Sequence, residues 1–169
     1  MKKVMIVLLI LMYSTIAFSQ QDILSGIWKY QNNNEVFIVN IWKVADGYKG
    51  HYKKIIVDAN GNQVSVVYNS NKGIGDTGHN WPFAIGTGDM TIDCKIGGTI
   101  YDNTVVNTPN AGGFIDGKVT IQVLNSGCYN PTGNTCTLQA QWKVKKMPGL
   151  KHPDEPDFNI PTNIILTKQ

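Results

Sequence analysis

Residues 136–145 alternate without a break. Cys136, Leu138, Ala140, Trp142 and Val144 fall on one side; Thr137, Gln139, Gln141, Lys143 and Lys145 fall on the other. A period of two marks a strand with one dry face and one wet face, and a helix does not produce it. The same texture runs through most of the chain. Gly, Asn, Asp or Pro interrupts it every few residues, and short runs rich in Val, Ile, Thr, Tyr, Phe and Trp lie between the interruptions. No stretch after Gln20 has the apolar spacing of an amphipathic helix. The pattern predicts strands over 26–31, 35–44, 48–57, 63–69, 90–96, 99–106, 118–125, 136–145 and 162–168.

The joints carry turn chemistry. Ala45-Asp46-Gly47, Asp58-Ala59-Asn60-Gly61, Gly97-Gly98 and Asp116-Gly117 supply residues that tolerate positive φ at tight hairpins. Tight hairpins make sequential neighbours antiparallel. Nine such strands point to an all-β fold: a single antiparallel up-and-down barrel of about eight to nine strands. Closure also removes the exposed edges of an open sheet.

Two features go beyond a plain barrel. In 35–44, Val36, Ile38 and Trp42 alternate with Phe37, Val39 and Ile41, so both faces are apolar. One face must meet something outside the barrel core, either a packed loop or a protein partner. Two long connections, 70–89 and 146–161, carry many Gly and Pro residues; the first also contains Trp81-Pro82-Phe83. Loops of this length rim binding sites or tuck onto the core as Ω-loops.

The N-terminus reads as an export signal. Lys2 and Lys3 precede an unbroken apolar run over 4–13, and Ala17-Phe18-Ser19 offers small residues for cleavage before Gln20. Ser14 and Thr15 interrupt the run well short of the ~20 residues of a membrane span. The expected domains are therefore a signal peptide at 1–19 and a barrel at 20–169, in a secreted or periplasmic protein without a membrane span. All 15 cations of the chain are Lys. Removing the leader leaves 13 Lys against 12 acids, a net charge of +1. Near-neutrality without Arg disfavours a nucleic-acid partner.

Export permits disulfides. Cys128 and Cys136 flank a turn-rich stretch and are expected to pair, a ring worth roughly 2–3 kcal/mol. Cys94, in the alternating run 90–96, is expected to be a buried free thiol packed as a small hydrophobe.

Gly26-Ile27-Trp28, opening the first strand, is similar to the first signature of the lipocalin and wider calycin barrels. The resemblance implies that the Gly admits the chain at the barrel floor and that Trp28 plugs the closed end. Two departures turn it toward the wider calycin group. The lipocalin Arg that packs on that Trp has no counterpart in an Arg-free chain, and Pro148, Pro153 and Pro156 oppose a helix before the last strand. A second resemblance covers most of the chain after the leader. Gly26-Ile27-Trp28-Lys29 followed by Val36-Phe37-Ile38-Val39-Asn40-Ile41-Trp42-Lys43, the Gly47-Tyr48-Lys49-Gly50-His51-Tyr52-Lys53 segment and the closing Phe158-Asn159-Ile160-Pro161-Thr162-Asn163-Ile164-Ile165-Leu166-Thr167-Lys168 resemble an uncharacterised family of small secreted proteins from Bacteroidetes-type bacteria. That resemblance implies compartment and fold and brings no activity.

Motifs for catalysis are weak. Gly73-Ile74-Gly75-Asp76-Thr77-Gly78 matches G-x-G-x-x-G, but no helix start follows, so the dinucleotide reading fails. Asp58-Ala59-Asn60-Gly61-Asn62 lacks the spacing and closing Glu of a calcium loop. Asp154, Glu155 and Asp157 cluster near His152 on a Pro-rich loop, a solvated segment by default. Asp76, Thr77 and His79 share a polar loop with nothing to set their geometry. No catalytic residue, metal site or cofactor is assigned.

The aromatic stock is the stronger pointer. An eight-stranded barrel is just wide enough to be filled by side chains or to hold one small ligand. The expectation is a non-enzymatic binder of an apolar or sugar-like small molecule at the barrel mouth. Trp28 would close the floor, Trp142 and Tyr101 would line the wall, and Trp81 would sit on the rim. The alternatives are an envelope or extracellular protein-interaction module using the outer face of strand 35–44, and, behind it, a secreted hydrolase.

Overall fold

The structure, a computed structural model, describes residues 22–74, 79–91, 93–105, 113–128, 136–148 and 155–169. The strands are β1 (Gly26–Asn32), β2 (Glu35–Val44), β3 (Gly47–Val57), β4 (Gln63–Asn69), β5 (Ile85–Thr87), β6 (Lys95–Asp102), β7 (Ile115–Val123), β8 (Gln139–Lys146) and β9 (Asn163–Lys168). The described residues contain no α-helix, only a short 3-10 turn at Ser126–Cys128. Every pairing is antiparallel. The order β2-β1-β9-β8-β7-β6-β5-β3 closes through a β2–β3 pairing, giving an eight-stranded up-and-down barrel with β4 as an extra strand.

The long strand β3 explains the extra one. β2 pairs with it from Gly47 to Ile56, while its other edge is shared. β4 takes Lys53–Val57 and β5 takes Tyr48–Gly50. Both run antiparallel to β3, so β4 and β5 are two halves of one barrel strand, interrupted by an excursion. Ser70 N–H donates to Tyr52 O and Ala84 N–H to Gly50 O, both at 2.9 Å, marking where the chain leaves and returns. β5 pairs onward with β6, whereas no strand flanks β4 on its far side among the described residues.

The alternation around Trp142 translates directly into burial: Leu138, Ala140 and Trp142 are fully buried and Val144 nearly so. With Trp28, Phe37, Val39, Tyr52, Ile100 and Leu166 they form one core that occupies the bore. The two-faced strand also behaves as its pattern requires. Phe37, Val39 and Ile41 join the bore, while Val36 joins Ile55 and Val57, with Ile38 against them, in a second cluster outside it.

Three joints differ from the sequence reading. The strand read over 90–96 does not form as such: Ile92 lies outside the described residues, Cys94 sits at φ +53 in a turn closed by Cys94 N–H to Thr91 O, and only Lys95 and Ile96 are in a strand, at the start of β6. The missing strand is supplied by β5, inside the expected loop 70–89. Gly97-Gly98 is no hairpin; it lies within β6, where a Cβ on Gly98 would collide with the carbonyl of Gly86 on β5. Asp116-Gly117 lies within β7, because a Cβ on Gly117 would come within 2.7 Å of the Phe158 ring and 2.9 Å of Ile100. In each case Gly serves close packing rather than a turn, and composition alone does not separate the two uses. Cys94 is a free thiol, half-buried against the core rather than fully inside it. The Cys128 side chain, on which the expected Cys128–Cys136 pairing rests, lies outside the described residues, as do the expected cleavage site at Ser19/Gln20 and the loop residues Asp76 and Thr77.

The turn readings elsewhere stand. Gly47 enters β3 at φ +136 against the Thr87–Gly88 backbone, a position closed to any side chain. Asp58 Oδ1 accepts from Asn60 N–H at 2.9 Å and Asn62 N–H at 2.8 Å, so this carboxylate is consumed in holding its own turn.

Candidate functional site

The four aromatic residues singled out in the sequence separate into two pairs. Trp28 and Trp142 lie in the bore with no exposed surface. Their indole N–H groups are satisfied by backbone: Trp28 Nε1 donates to Leu24 O at 2.8 Å and Trp142 Nε1 to Pro161 O at 2.7 Å. Ile23 and Leu24 are buried beside Trp28. Lys168, on the last strand, lies 5.5 Å over the Trp28 ring, and its Nζ donates to Ile23 O at 2.8 Å. Burial pushes the Lys168 pKa down.

Trp81 and Tyr101 are elsewhere. Tyr101 does not line the inner wall. Its strand neighbours Ile100 and Asp102 are fully buried, so alternation turns Tyr101 outward. There it meets Trp81, from the excursion, and Phe114, ahead of β7. Ring centroids lie 6.1 Å apart for Trp81–Tyr101 and 5.3 Å for each ring to Phe114, the Phe114 contacts being edge-to-face. All three rings are half-buried. Among the described residues Trp81 Nε1 finds no acceptor, unlike the two indoles in the bore.

The mouth itself is small and polar. Tyr30, Asn32, Glu35, Lys54, Tyr68 and Asn159 ring a recess of about 180 Å³ floored by Phe37. Lys54 bridges Glu35 across it at 2.7 Å. Small-molecule pockets typically run ~300–1,000 Å³.

Below this mouth lies a buried polar network that the sequence reading did not pick out. Asp102 is fully buried at the end of β6. Its Oδ1 accepts from Tyr52 O–H at 2.9 Å and Thr104 Oγ1 at 2.6 Å; its Oδ2 accepts from Asn159 N–H at 2.7 Å. Burial and the neighbouring Asp102 push the Tyr52 hydroxyl far above its ordinary pKa. Asn103, also fully buried, donates from Nδ2 to Ser70 O at 2.8 Å. These bonds stand in for a β4–β6 ladder, since β6 ends at Asp102 while β4 continues. One signal in the sequence marked the spot: Ile96, Ile100 and Asp102 share strand parity, so a carboxyl sits where an apolar residue belongs.

His51 and Ser70 lie where the excursion departs. Their side chains approach to 3.1 Å, His51 Nδ1 to Ser70 Oγ. The pairing resembles a base beside a nucleophile, but Ser70 is fully buried and its Oγ already accepts Tyr52 N–H at 2.9 Å. Its work is to anchor the excursion on β3. Burial pulls the His51 pKa below its ordinary value, against a smaller upward pull from the Trp81 and Pro82 backbone. The unfolded chain therefore takes up the proton first. Stability is expected to be full above about pH 7 and to decline on acidification through about 6.5. Urea midpoints between pH 7.5 and 5.5 check this; a slope unchanged in His51→Asn would assign the loss to other groups.

The outer wall holds the remaining surfaces. Val36, Ile38, Ile55 and Val57 floor an open trough of about 290 Å³, edged by Lys29 and Thr167. A second trough, also about 290 Å³, runs over β7 and β8 between Lys118, Lys143 and Lys145. No helix among the described residues is long and apolar enough to cross a membrane, and none of their His, Cys, Asp and Glu side chains group as a metal site. Comparison with protein-family models, with curated proteins and with solved structures finds no match for this chain.

Proposed function

We propose that this chain is an exported, non-enzymatic binding module that holds a sugar-like ligand on the outer wall of its barrel. The observation that carries the reading is the half-buried trio Trp81, Tyr101 and Phe114, with the Trp81 indole N–H left for a ligand acceptor. Aromatic rings that serve only packing are found in the bore, with their polar atoms satisfied. A half-buried aromatic cluster beside an open donor suits a sugar ring, which offers C–H faces and hydroxyls together. The trio replaces the mouth as the ligand site because the bore is occupied and the recess above it is small.

The test is calorimetric titration with a panel of neutral and acidic oligosaccharides. Trp81→Ala is expected to weaken binding about tenfold while leaving the melting temperature nearly unchanged. Equal binding by the variant, or no binding by the wild type, would sink the reading.

The second cluster supports a second reading. Val36, Ile55 and Val57 are apolar outside the bore, beneath an open trough on β2 and β3. A protein partner docking there would fit the two-faced strand 35–44. Ile38→Asp should then abolish partner capture without unfolding the barrel.

The proposal includes the chain's processing and kinship: export with cleavage before Gln20, a Cys128–Cys136 disulfide, and membership among calycin-like secreted proteins of Bacteroidetes-type bacteria. Gly26-Ile27-Trp28 with Lys168 on the indole supports the kinship. Cys94 as a free thiol leaves Cys128 and Cys136 as the remaining pair. Intact mass of exported protein should correspond to residues 20–169, with one thiol titrating in denaturant without reductant.

A further inference from the structure

The lysine trough and the aromatic trio share one face of the barrel. Register establishes this. Inner positions run Ile100–Gly117, Gly98–Val119–Val144 and Ile96–Ile121–Trp142 across β6, β7 and β8. The outer positions between them run Tyr101–Asp116, then Thr99–Lys118–Lys145, then Gly97–Thr120–Lys143, then Lys95–Gln122–Gln141. Tyr101 is one row from Lys118 on the same surface. Gly97 has no side chain and Thr120 a short one, so the middle of the wall is hollow.

Lys118 stands directly opposite Lys145, and like charges in that position cost stability. No carboxylate among the described residues bridges either of them, or Lys95 or Lys143. The ion pairs there belong to Lys54 with Glu35 and to Lys146 with Glu155 and Asp157. Unneutralised ammonium groups gathered in a concave strip favour an anion.

The acceptors on the same wall narrow its class. Gln141 Nε2 is engaged, donating to Asn163 Oδ1 at 2.8 Å and Ile164 O at 3.1 Å. Gln141 lines the trough, and its Oε1 is the amide's remaining acceptor. Asp116, opposite Tyr101 and two residues from Lys118 along β7, adds a second acceptor at the aromatic end. Acceptors need donors. The phosphodiester backbone of DNA offers none, whereas an acidic sugar carries anionic groups and free hydroxyls on one ring.

We infer that this wall binds an acidic polysaccharide, a chain of uronate or sulfated sugars. The lysines meet its anionic groups, Gln141 and Asp116 take its hydroxyls, and Trp81 and Tyr101 receive a sugar ring. The inference rests on the sugar-binding reading at its aromatic end and adds the charge of the ligand.

The matched probes are polygalacturonate and its fully methyl-esterified form, which share a backbone and differ in charge, with duplex DNA as a third polyanion. Polygalacturonate is expected to bind, more weakly at higher salt, and the ester at least about tenfold less well. Lys118→Gln with Lys145→Gln should weaken polygalacturonate about tenfold and leave the melting temperature unchanged or raised. Trp81→Ala should weaken both sugar chains. Equal affinity for acid and ester, or indifference to the lysine changes, overturns the inference while leaving the aromatic site standing. DNA binding as tight as polygalacturonate and independent of Trp81 also overturns it, as a non-specific polyanion effect. Binding to neither sugar chain overturns it outright. The sugar-binding reading is then judged by the wider oligosaccharide panel.

Discussion

Trp142→Ala is expected to destabilise the folded chain by about 3–5 kcal/mol, the range for deleting a large buried aromatic. Two losses combine. The indole is fully buried on β8, in edge-to-face contact with Phe37 at 5.7 Å, and its removal leaves a large hole in the middle of the bore. The Pro161 carbonyl, bonded to Nε1 at 2.7 Å, also loses its donor where the chain turns into β9. For a domain of this size the melting temperature should fall by about 10–15 °C. Trp142→Phe separates the losses, keeping most of the apolar surface but not the donor, and should cost about 1–3 kcal/mol. Thermal and urea unfolding of the two variants decide the matter. A Trp142→Ala protein within about 1 kcal/mol of wild type would mean that the bore is not the packed core described here.

The second large effect belongs to Asp102. Asp102→Ala is expected to cost about 2–4 kcal/mol, because several buried neutral donors lose the carboxyl that accepts from them. The substitution strands the Asn159 N–H, which donates to this carboxyl at 2.7 Å, and leaves the Tyr52 hydroxyl only the Tyr101 carbonyl at 3.1 Å in place of the carboxyl at 2.9 Å. It also loosens the seam where β4 runs on past the end of β6. Asp102→Asn keeps the shape but sets an N–H₂ against existing donors, so about 2–3 kcal/mol should still be lost. The loss should be local as well as global. Amide exchange at Asn159 and along β4 is expected to accelerate more than along β7 and β8, because those strands keep their ladders. Uniform acceleration, or none, would show that the network is not what holds the seam.

Neither effect carries the same visibility in the sequence. Trp142 announces itself: a strict period of two over five apolar positions assigns it an inward direction without reference to any other strand. β2 and β4 are legible as β-rich runs bounded by turn residues, and their bounds, Glu35–Val44 and Gln63–Asn69, coincide with the sequence reading. The two apolar faces of β2 were also readable as one inside and one outside. What lies beside the outer one was not, because Ile55 and Val57 come from β3.

The errors share a cause. Gly97-Gly98 and Asp116-Gly117 look like turns because Gly and Asp are common in turns. In the fold Gly98 and Gly117 are places where β5 and Phe158 come too close for a side chain. Close approach involves residues distant in sequence, so a local window holds no record of it. Residues 90–96 show the converse: an alternating pattern enters a strand only at Lys95, after a turn in which Cys94 stands at φ +53.

The candidate site divides along the same line. Its residue types were legible: an aromatic-rich chain, a Trp on a long excursion, lysines on the wet face of β8. Their grouping was not. The sequence reading turns Tyr101 inward, whereas the burial of Ile100 and Asp102 sets it outward, and its neighbours Trp81 and Phe114 come from separate loops. By itself the sequence determined the strand class, the antiparallel order and the dry face of most strands, because alternation and turn residues act within a few positions. Only the tertiary structure decided which glycines pack, which rings share the outer wall, and that Lys118 faces Lys145. Those depend on register between strands, which is set when the barrel closes and its inner face is buried as one core.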